Sequence, residues 1–297
     1  MTTIRCENLS KTFRNVEALA GLNLEIPAGA IYGLVGPNGA GKSTAIKTLM
    51  NILTPTGGRA EVLGCDSRRL GASEFTRIGY VSENQQLPDW MTVDYFMSYL
   101  KPFYPAWDDT RAAELLRLFD LPLDRRLKQL SRGMRMKAAL ASSLAYRPAL
   151  LVMDEPFSGL DPVMRDDLIQ GILDSADETT ILVSSHDLAE IENLATDIGY
   201  MESGRIRFSE SMASLADRFR EIEVTLERPA ALPPEWPVAW LRAEVSPALI
   251  RFVDSGFDAE RTPAEVSRIL TGVTRVSAAP MPLRSIFLAM ARSGGKR

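Results

Sequence analysis

The amino-acid sequence predicts an α/β fold followed by a smaller α+β domain. Residues Ile31–Val35 form an apolar run typical of a buried strand, and apolar residues return after it with helical spacing. A second apolar run, Leu150–Met153, predicts another core strand. From Glu221 onwards, "EIEVTLE" alternates like a half-buried strand and "PLRSIFLAMAR" has the spacing of an amphipathic helix. We therefore expect one large domain over residues 1–220 and a small α+β domain over 221–297.

Composition and charge exclude several classes of protein. Of the 297 residues, 45% are hydrophobic and 24% are charged, as in ordinary globular proteins, and the net charge of −4 provides no basic surplus for nucleic acid. The two cysteines, Cys6 and Cys65, lack the CxxC spacing of a metal or redox site. The longest apolar run, Ile286–Ala291, is far shorter than the ~20 residues that a membrane helix needs. We expect a chain that spans no membrane and binds no nucleic acid.

The segment "GPNGAGKST" joins the first strand of this scheme to the first helix. It satisfies the pattern GxxxxGK[ST] through Gly36, Gly41, Lys42 and Ser43. Glycines allow backbone N–H groups to converge on an anion at a helix N-terminus, so the segment predicts a phosphate-binding loop and not an ordinary glycine-rich turn. We expect Lys42 to contact the β and γ phosphates and Ser43 to ligate Mg²⁺. The nucleotide-binding residues predicted in this loop are Gly36, Pro37, Asn38, Gly39, Ala40, Gly41, Lys42, Ser43 and Thr44.

Two adjacent acids, Asp154 and Glu155, follow the second apolar run. Carboxylates at the end of a core strand are costly to bury unless they bind a partner, which argues against a plain acidic turn. We expect Asp154 to hold Mg²⁺ through its water shell and Glu155 to polarise the attacking water. Together with the phosphate-binding loop, these acids predict a nucleoside triphosphatase.

The ordered motifs GPNGAGKST, LSRGM, LLVMDEP, SGLDP and SSHD resemble those of the nucleotide-binding subunits of ABC transporters over residues 1 to about 220. The resemblance implies a P-loop NTPase core with an antiparallel β subdomain and a helical subdomain at about residues 84–147. It also implies ATP and Mg²⁺ as cofactors, and ATP hydrolysis that drives transport through a separate transmembrane permease subunit. Such a chain would be cytoplasmic and peripheral on the inner face of the cell membrane. No NKxD motif supports guanine specificity.

The single histidine of the chain is His186, in the segment "TILVSSHDLAE". A lone histidine is more often a structural residue than a catalytic one. By the resemblance, however, His186 occupies the position of the switch histidine, which contacts the γ-phosphate and helps to hold the attacking water. A donor aimed at developing phosphoryl charge stabilises the transition state, so we expect Lys42, Glu155 and His186 to be the catalytic residues.

The resemblance further implies that two subunits close head to tail on two ATP molecules, as a homodimer or a heterodimer. The signature motif "LSRGM" would then complete the site of the opposite subunit through Ser131, Arg132, Gly133 and Met134. Ser131 is also a candidate helix N-cap. Asp161 in "SGLDP" matches the inter-subunit loop aspartate of the family. Because the chain has one copy of each motif, we expect a dimer.

Two positions depart from the usual family pattern. The signature motif is often LSGGQ, and Arg132 and Met134 stand here in place of a glycine and a glutamine. The family also has a glutamine after the strand "IGYVS", where this chain has Glu83. We expect Glu83 to ligate Mg²⁺ while adding negative charge beside the phosphates. In both departures, and in the segment "FYPAWD" before a helix, the chain resembles the export-type branch of the family. That branch includes antibiotic-resistance and bacteriocin-immunity transporters.

Aromatic residues at two places have a binding interpretation and a packing interpretation. Phe13 matches the aromatic residue that stacks on adenine in the family, and the alternative is a core phenylalanine. Seven aromatic residues fall from Trp90 to Trp107, in the region that receives the coupling helix of the membrane subunit in the family. They either pack a helical subdomain or form a docking surface.

The C-terminal segment predicts packing or dimer support, or alternatively a ligand-sensing role. Within it, Thr262, Pro263 and Glu265 have the spacing of a helix cap, a first turn and a capping box. Taken together, the sequence predicts an ATP-hydrolysing subunit that drives transport, with export as the expected direction. The alternative is a soluble ABC-type ATPase acting in translation or DNA repair, a class that usually carries two cassettes or a coiled-coil insertion.

Overall fold

The computed structural model describes residues 1–175, 179–229 and 236–293. The chain divides into two compact units, Met1–Ser209 and Glu210–Arg297. The strands up to this division are β1 (Thr2–Phe13), β2 (Val16–Pro27), β3 (Ile31–Val35), β4 (Gly57–Val62), β5 (Cys65–Asp66), β6 (Ile78–Ser82), β7 (Leu150–Asp154), β8 (Thr180–Ser185), β9 (Asp197–Glu202) and β10 (Arg205–Ser211). The helices are α1 (Lys42–Leu49), α2 (Ala72–Phe75), α3 (Val93–Leu100), α4 (Asp109–Leu118), α5 (Arg132–Leu144), α6 (Pro162–Leu173) and α7 (Leu188–Glu192). None of the helices in the described ranges is long and apolar enough to cross a membrane.

A six-stranded sheet in the order β10-β9-β3-β8-β7-β6 forms the centre of the first unit. Strands β3, β8, β7 and β6 pair in parallel, and the first three are buried along their whole length. Parallel strands that are covered on both faces need continuous apolar sequence, which explains the runs Ile31–Val35 and Leu150–Met153. The α/β core that the sequence predicts is confirmed.

The register of this sheet brings the ends of four strands together. Val35 at the end of β3 pairs with Ser185 at the end of β8. Asp154 at the end of β7 pairs with Ser184 on one side and with Ser82, the end of β6, on the other. Ligands of open parallel sheets bind outside the carboxyl ends of the strands. The segments that follow these four strands therefore meet at one edge of the sheet.

A second sheet of the first unit, in the order β2-β1-β4-β5, is antiparallel throughout. Buried and exposed residues largely alternate along β2, as in a sheet with one face on the core. Leu9 and Leu22 belong to the same buried cluster as Ile46 of α1. Phe13 ends β1 and pairs with Val16 at the start of β2. The antiparallel β subdomain implied by the family resemblance is thus present.

The segment between β6 and β7 contains the helices α3, α4 and α5. Each helix has a side-chain N-cap whose oxygen accepts a hydrogen bond from a backbone N–H of the first turn. The capping residues are Thr92, Asp108 and Ser131, respectively. The cap expected at Ser131 is confirmed, and Asp108 caps α4 as well. From Gly133 onwards, α5 is buried over most of its length. These helices lie within residues 84–147, where the resemblance implies a helical subdomain.

The second unit is built on an antiparallel sheet with a core of its own. Its elements are α8 (Met212–Arg218), β11 (Arg220–Leu226), β12 (Trp240–Ser246), β13 (Leu249–Asp254), α9 (Arg261–Ile269), β14 (Val273–Pro280) and α10 (Leu283–Ser293). The strand order is β12-β13-β11-β14. In the core, Trp240 stacks on Phe252 with ring centroids 4.4 Å apart. The unit has the α+β character that the sequence predicts.

The sequence predicts a boundary between the units after α8, between residues 220 and 221. The division falls instead before α8, between Ser209 and Glu210. The reason is that Arg218, at the end of α8, is bound to the second unit. Its Nη1 donates to the carbonyl oxygen of Ser255 at 2.8 Å, and its own carbonyl accepts from the backbone N–H of Phe257 at 2.9 Å. These contacts join residues too far apart in sequence for local patterns to indicate.

The start of α9 also differs from the sequence prediction. The helix begins at Arg261, and Asp258 supplies its cap, because Asp258 Oδ1 accepts from the backbone N–H groups of Glu260 at 3.0 Å and Arg261 at 2.7 Å. Thr262 is buried within the helix, and its hydroxyl donates to Asp254 Oδ2 at 2.7 Å. The predicted cap at Thr262 is wrong because the buried carboxylate at the end of β13 takes its hydroxyl.

We expect Thr262→Val to destabilise the second unit. Valine keeps the shape of threonine but leaves the buried Asp254 carboxylate without this donor, so the free energy of unfolding should fall by about 1–3 kcal/mol. Chemical denaturation followed by tryptophan fluorescence measures the change. The control Ser267→Ala removes an exposed hydroxyl of the same helix and should change stability by less than about 0.5 kcal/mol. Equal stability of the two variants would show that the buried hydrogen bond contributes nothing.

Candidate nucleotide-binding site

A cavity of about 700 Å³ lies where the glycine loop after β3 meets the segments after β6, β7 and β8. The end of β1 and the start of β2 also contribute to its wall. The residues that the sequence analysis singled out and that line this cavity are Phe13, Asn38, Gly39, Ala40, Gly41, Lys42, Ser43, Thr44, Glu83, Glu155 and His186. The cavity therefore gathers most of the predicted site residues, which are far apart in sequence.

The glycine loop closes tightly onto the start of α1. Gly41 has a φ of 107°, and a Cβ atom built on it would lie 2.5 Å from the carbonyl oxygen of Ala18. The helix begins without a side-chain cap. Lys42 is only 5% exposed, and its Nζ donates to the carbonyl oxygen of Gly36 at 2.8 Å. An uncapped helix N-terminus next to a buried cation is suited to an anion such as phosphate.

Asp154 is almost fully buried at the end of β7. Its Oδ1 accepts hydrogen bonds from Ser43 Oγ at 2.9 Å and from Ser184 Oγ at 2.8 Å. A hydroxyl and a carboxylate side by side provide the hard oxygen ligands that Mg²⁺ prefers. Across the described part of the chain, no group of three His, Cys, Asp or Glu side chains could hold a metal by itself. A magnesium ion here would take its other ligands from phosphate and water, as Mg²⁺ usually does.

Glu155 lies between Lys42 and His186. Its Oε1 is 3.1 Å from Lys42 Nζ, and its Oε2 is 2.7 Å from His186 Nδ1. The backbone N–H of His186 also donates to Oε2, at 3.3 Å. Glu155 has a φ of 52°, and its backbone N–H donates to Ser184 Oγ at 3.0 Å. The three residues expected to be catalytic thus form one continuous chain of polar contacts.

The pKa of His186 is raised above its ordinary value of 6.5. The hydrogen bond to Glu155 is the largest cause, and the negative charges of Glu155 and Glu190 add to it. Partial burial and the positive charge of Lys42 act in the opposite direction. The side chain is 44% exposed, so His186 is not a core histidine.

Glu83 lines the cavity, but its carboxylate is bound by protein side chains. Its Oε1 accepts from Ser158 Oγ at 3.0 Å and from Arg132 Nη2 at 2.5 Å. The sequence marks Glu83 and Arg132 only as two separate departures from a pattern and gives no sign that they pair. Nor does it indicate Ser158 and Ser184, because a serine near a motif carries no distinguishing signal. Within the chain, Arg132 balances the negative charge of Glu83.

No residue of the signature motif lines the cavity, although Arg132 binds Glu83 at its wall. Of the segment "SGLDP", Ser158 lines the cavity and Asp161 does not. Ser131 Oγ accepts from the backbone N–H of Met134 at 3.2 Å, and Gly133 packs against Met164 of α6. Asp161 caps α6, with its Oδ1 accepting from the N–H of Met164 at 3.0 Å. Ser131, Gly133 and Asp161 therefore contribute nothing to the cavity of their own chain.

Phe13 is an exposed side chain of the cavity wall. Its ring is 42% exposed, and Lys11 Nζ lies 5.0 Å from the ring centroid. The alternative of a buried core phenylalanine is therefore wrong. The exposed ring is suited to stacking on a nucleobase, a contact that does not depend on the identity of the base.

Comparison with known proteins gives full-length relatives. The chain is 33% identical to the daunorubicin/doxorubicin resistance ATP-binding protein DrrA of Streptomyces peucetius, over 97% of this chain and 92% of that protein. It is 28% identical to the bacitracin transport ATP-binding protein BcrA of Enterococcus faecalis, over 98% of this chain and 97% of that protein. The family model for ABC transporters matches residues 19–158.

Solved structures lead to the same family. An ATP-binding subunit of an ABC transporter superposes with a TM-score of 0.67 at 25% identity, covering 73% of this chain and 92% of that chain. The ATP-binding cassette MJ0796, in a dimeric post-hydrolysis state with ADP and phosphate, superposes with a TM-score of 0.62 at 25% identity, covering 70% and 98%. On the fold, the motifs and these relatives, the chain belongs to the ATP-hydrolysing, ATP-binding subunits of ABC transporters.

Proposed function

We propose that this chain drives an exporter and that it hydrolyses ATP in the cavity described above, with Lys42, Glu155 and His186 as the catalytic residues. The observation that supports this assignment best is the placement of Glu155 between the other two side chains. Lys42 binds the β and γ phosphates, Glu155 is the general base for the attacking water, and His186 contacts the γ-phosphate.

Binding of the triphosphate changes the partner of Lys42. In the structure, Lys42 Nζ contacts the Glu155 carboxylate and the carbonyl oxygen of Gly36. The phosphates bring greater negative charge to the start of α1, so Lys42 turns to them and Glu155 becomes free to accept a proton from water. His186 retains its hydrogen bond to Glu155 and keeps the carboxylate oriented. The Lys42–Glu155 ion pair thus restrains the base until ATP is present.

Ser43 and Asp154 are the proposed protein ligands of Mg²⁺, Ser43 directly and Asp154 through water. When bound, Mg²⁺ neutralises charge on the β and γ phosphates. Ser43 gives up its hydrogen bond to Asp154 in that state, and Ser184 keeps the carboxylate in place. Phe13 stacks on adenine, a contact worth about 1–3 kcal/mol.

A second ATP-binding subunit, identical or related, completes each site. Ser131, Gly133 and Asp161 are absent from the cavity of their own chain, and the N-terminus of α5 is the type of element that binds phosphate. The cassette MJ0796, similar in fold, has been solved as a dimer. We infer that the signature motif, including Arg132 and Met134, faces the ATP of the opposite subunit.

Four exposed aromatic residues of the helical segment form the proposed docking surface for a transmembrane permease. Trp90, Tyr95, Tyr99 and Phe103 are 63%, 47%, 47% and 60% exposed, whereas Phe96 is buried. They lie as two pairs, Trp90 with Tyr95 and Tyr99 with Phe103, each with ring centroids 5.7 Å apart. Exposed aromatic groups of this kind are typical anchors of protein interfaces.

Export is the direction that the relatives support. DrrA is described as a daunorubicin/doxorubicin resistance protein and BcrA as a bacitracin transport protein. Both align with nearly the whole chain. A subunit bound to such a permease would lie peripherally on the cytoplasmic face of the membrane. Neither DrrA nor BcrA is described as an ATPase of translation or DNA repair. For the second unit we propose packing or dimer support.

Glu155→Gln should lower ATP turnover by a factor of about 10²–10⁴, the usual contribution of a general base. ATP binding should persist and become tighter, because the neutral side chain no longer competes with phosphate for Lys42. Equilibrium binding and steady-state hydrolysis measure the two effects, and Glu114→Gln, an exposed carboxylate of α4, is the control. Lys42→Ala should lose ATP binding itself. Undiminished turnover in Glu155→Gln would exclude Glu155 as the base.

The pKa of His186 offers a direct test of its contact with Glu155. As the chain has one histidine, NMR titration gives a single imidazole curve, and we expect a pKa above 6.5 that falls in Glu155→Gln. Because the folded pKa is raised, the stabilising contribution of the pair is complete below pH 6.5 and is lost as pH rises through the folded pKa. A pKa that is insensitive to Glu155→Gln would disprove the contact.

Trp90→Ala should release the chain from its permease. Truncation of an aromatic anchor weakens a complex by about 2 kcal/mol, roughly thirtyfold. Membrane co-purification in mild detergent measures release, and ATP binding should be unchanged. Leu288→Ala, an exposed apolar residue of α10, should remain membrane-bound. Co-purification of the parent chain with ribosomes or DNA, and never with a membrane protein, would instead favour the soluble ATPase.

A further inference from the structure

The Glu83–Arg132 ion pair connects the nucleotide cavity with the signature motif inside one chain. Glu83 directly follows β6, and its backbone N–H donates to the carbonyl oxygen of Asp154 at 3.0 Å. Its carboxylate accepts from Arg132 Nη2 at 2.5 Å and from Ser158 Oγ at 3.0 Å. Arg132 is the first residue of α5. A change in charge at Glu83 therefore acts directly on Arg132, at the start of α5.

Arg132 also lies against the segment that follows Glu155. A Cβ atom built on Gly159 would be 2.9 Å from Arg132 Nη1, so the guanidinium packs directly over this glycine. The guanidinium thus touches both the segment after β6 and the segment after β7. Two contacts with other segments distinguish Arg132 from a side chain that extends from α5 into solvent.

The cavity needs a cation at this point for electrostatic reasons. Glu83 and Glu155 both line it, and Lys42 is the counter-ion of Glu155. Without Arg132, the Glu83 carboxylate would stand unpaired beside the site of a polyanionic nucleotide and would repel it. Arg132 is itself outside the cavity lining. It can therefore neutralise Glu83 without occupying the space of the phosphates.

We propose that Arg132 is the positioning counter-ion of Glu83, and that the Mg²⁺ which accompanies ATP competes with Arg132 for the same carboxylate. This inference rests on the magnesium site proposed at Ser43 and Asp154. In the structure, Arg132 pairs with Glu83 and balances its charge. When Mg²⁺ takes over that charge, Arg132 is released from the segment after β6, and the start of α5 is free to change its contacts.

A second ion pair on the same helix provides a matched control. Arg135, one helical turn after Arg132, pairs with Asp89 at 2.8 Å. Neither of these residues lines the nucleotide cavity. Neutralising Arg135 removes the same charge from the same helix, but it leaves no carboxylate unpaired beside the nucleotide.

The test measures equilibrium binding of trinitrophenyl-ATP in the Glu155→Gln background, where hydrolysis does not interfere. Without Mg²⁺, Arg132→Gln should weaken nucleotide binding about two- to fivefold, the range of a partly exposed ion pair, because Glu83 is left uncompensated. In a Mg²⁺ titration, the same variant should reach half-saturation at about two- to fivefold lower Mg²⁺, because the cation no longer competes with Arg132. General damage to the fold would weaken both quantities together.

Three further variants complete the cycle. In a Glu83→Gln background, Arg132→Gln should change neither quantity, since the carboxylate that links them is gone. Arg135→Gln should match the parent in both. Arg132→Lys keeps the positive charge, so its nucleotide affinity and its Mg²⁺ half-saturation should be close to those of the parent. This variant keeps the test possible if Arg132→Gln folds poorly.

The outcomes separate this inference from the site assignment. If the parent binds the nucleotide with a clear Mg²⁺ dependence and Arg132→Gln is unchanged, or if its effects persist with Glu83→Gln, the counter-ion role is wrong and the magnesium site stands. If the parent shows no Mg²⁺ dependence, the proposed magnesium site fails and this inference fails with it.

Discussion

The parallel register of β6, β7, β8 and β3 is the constraint on which the rest of the molecule depends. It aligns the ends of these strands, so that the glycine loop, Glu83, Glu155 and His186 leave the sheet at one edge. Each strand is short, and buried backbone groups must remain paired, so a shift of register would break the ladder as well as the site. The cavity is thus a direct consequence of strand pairing.

Charge balance within the cavity follows from this arrangement. Glu155 pairs with Lys42 and is hydrogen-bonded to His186, Glu83 pairs with Arg132, and Asp154 accepts hydrogen bonds from two hydroxyl groups. Glu83, Asp154 and Glu155 thus each have a partner in the chain. In the proposed function, binding of ATP with Mg²⁺ is an exchange of these partners.

The groups of the proposed composite site lie in two places in the chain. The glycine loop and the three proposed catalytic residues line one cavity, whereas Ser131 and Asp161 cap helices outside that lining. The N-terminus of α5 also carries the positive end of the helix dipole, which favours an anion. Such a division of groups suits a protein in which hydrolysis requires two subunits to meet.

The sequence by itself determined the buried strands, the glycine loop and the cap at Ser131, because apolar periodicity and turn chemistry act over a few neighbouring residues. Glu155 followed from its place at the end of a core strand, and the family resemblance added His186 as a candidate. Only the tertiary structure decided that Arg132 pairs with Glu83, that Thr262 serves Asp254 instead of its own helix, and which aromatic residues are exposed. The choice of partner between residues distant in sequence depends on register and burial, which no local pattern contains.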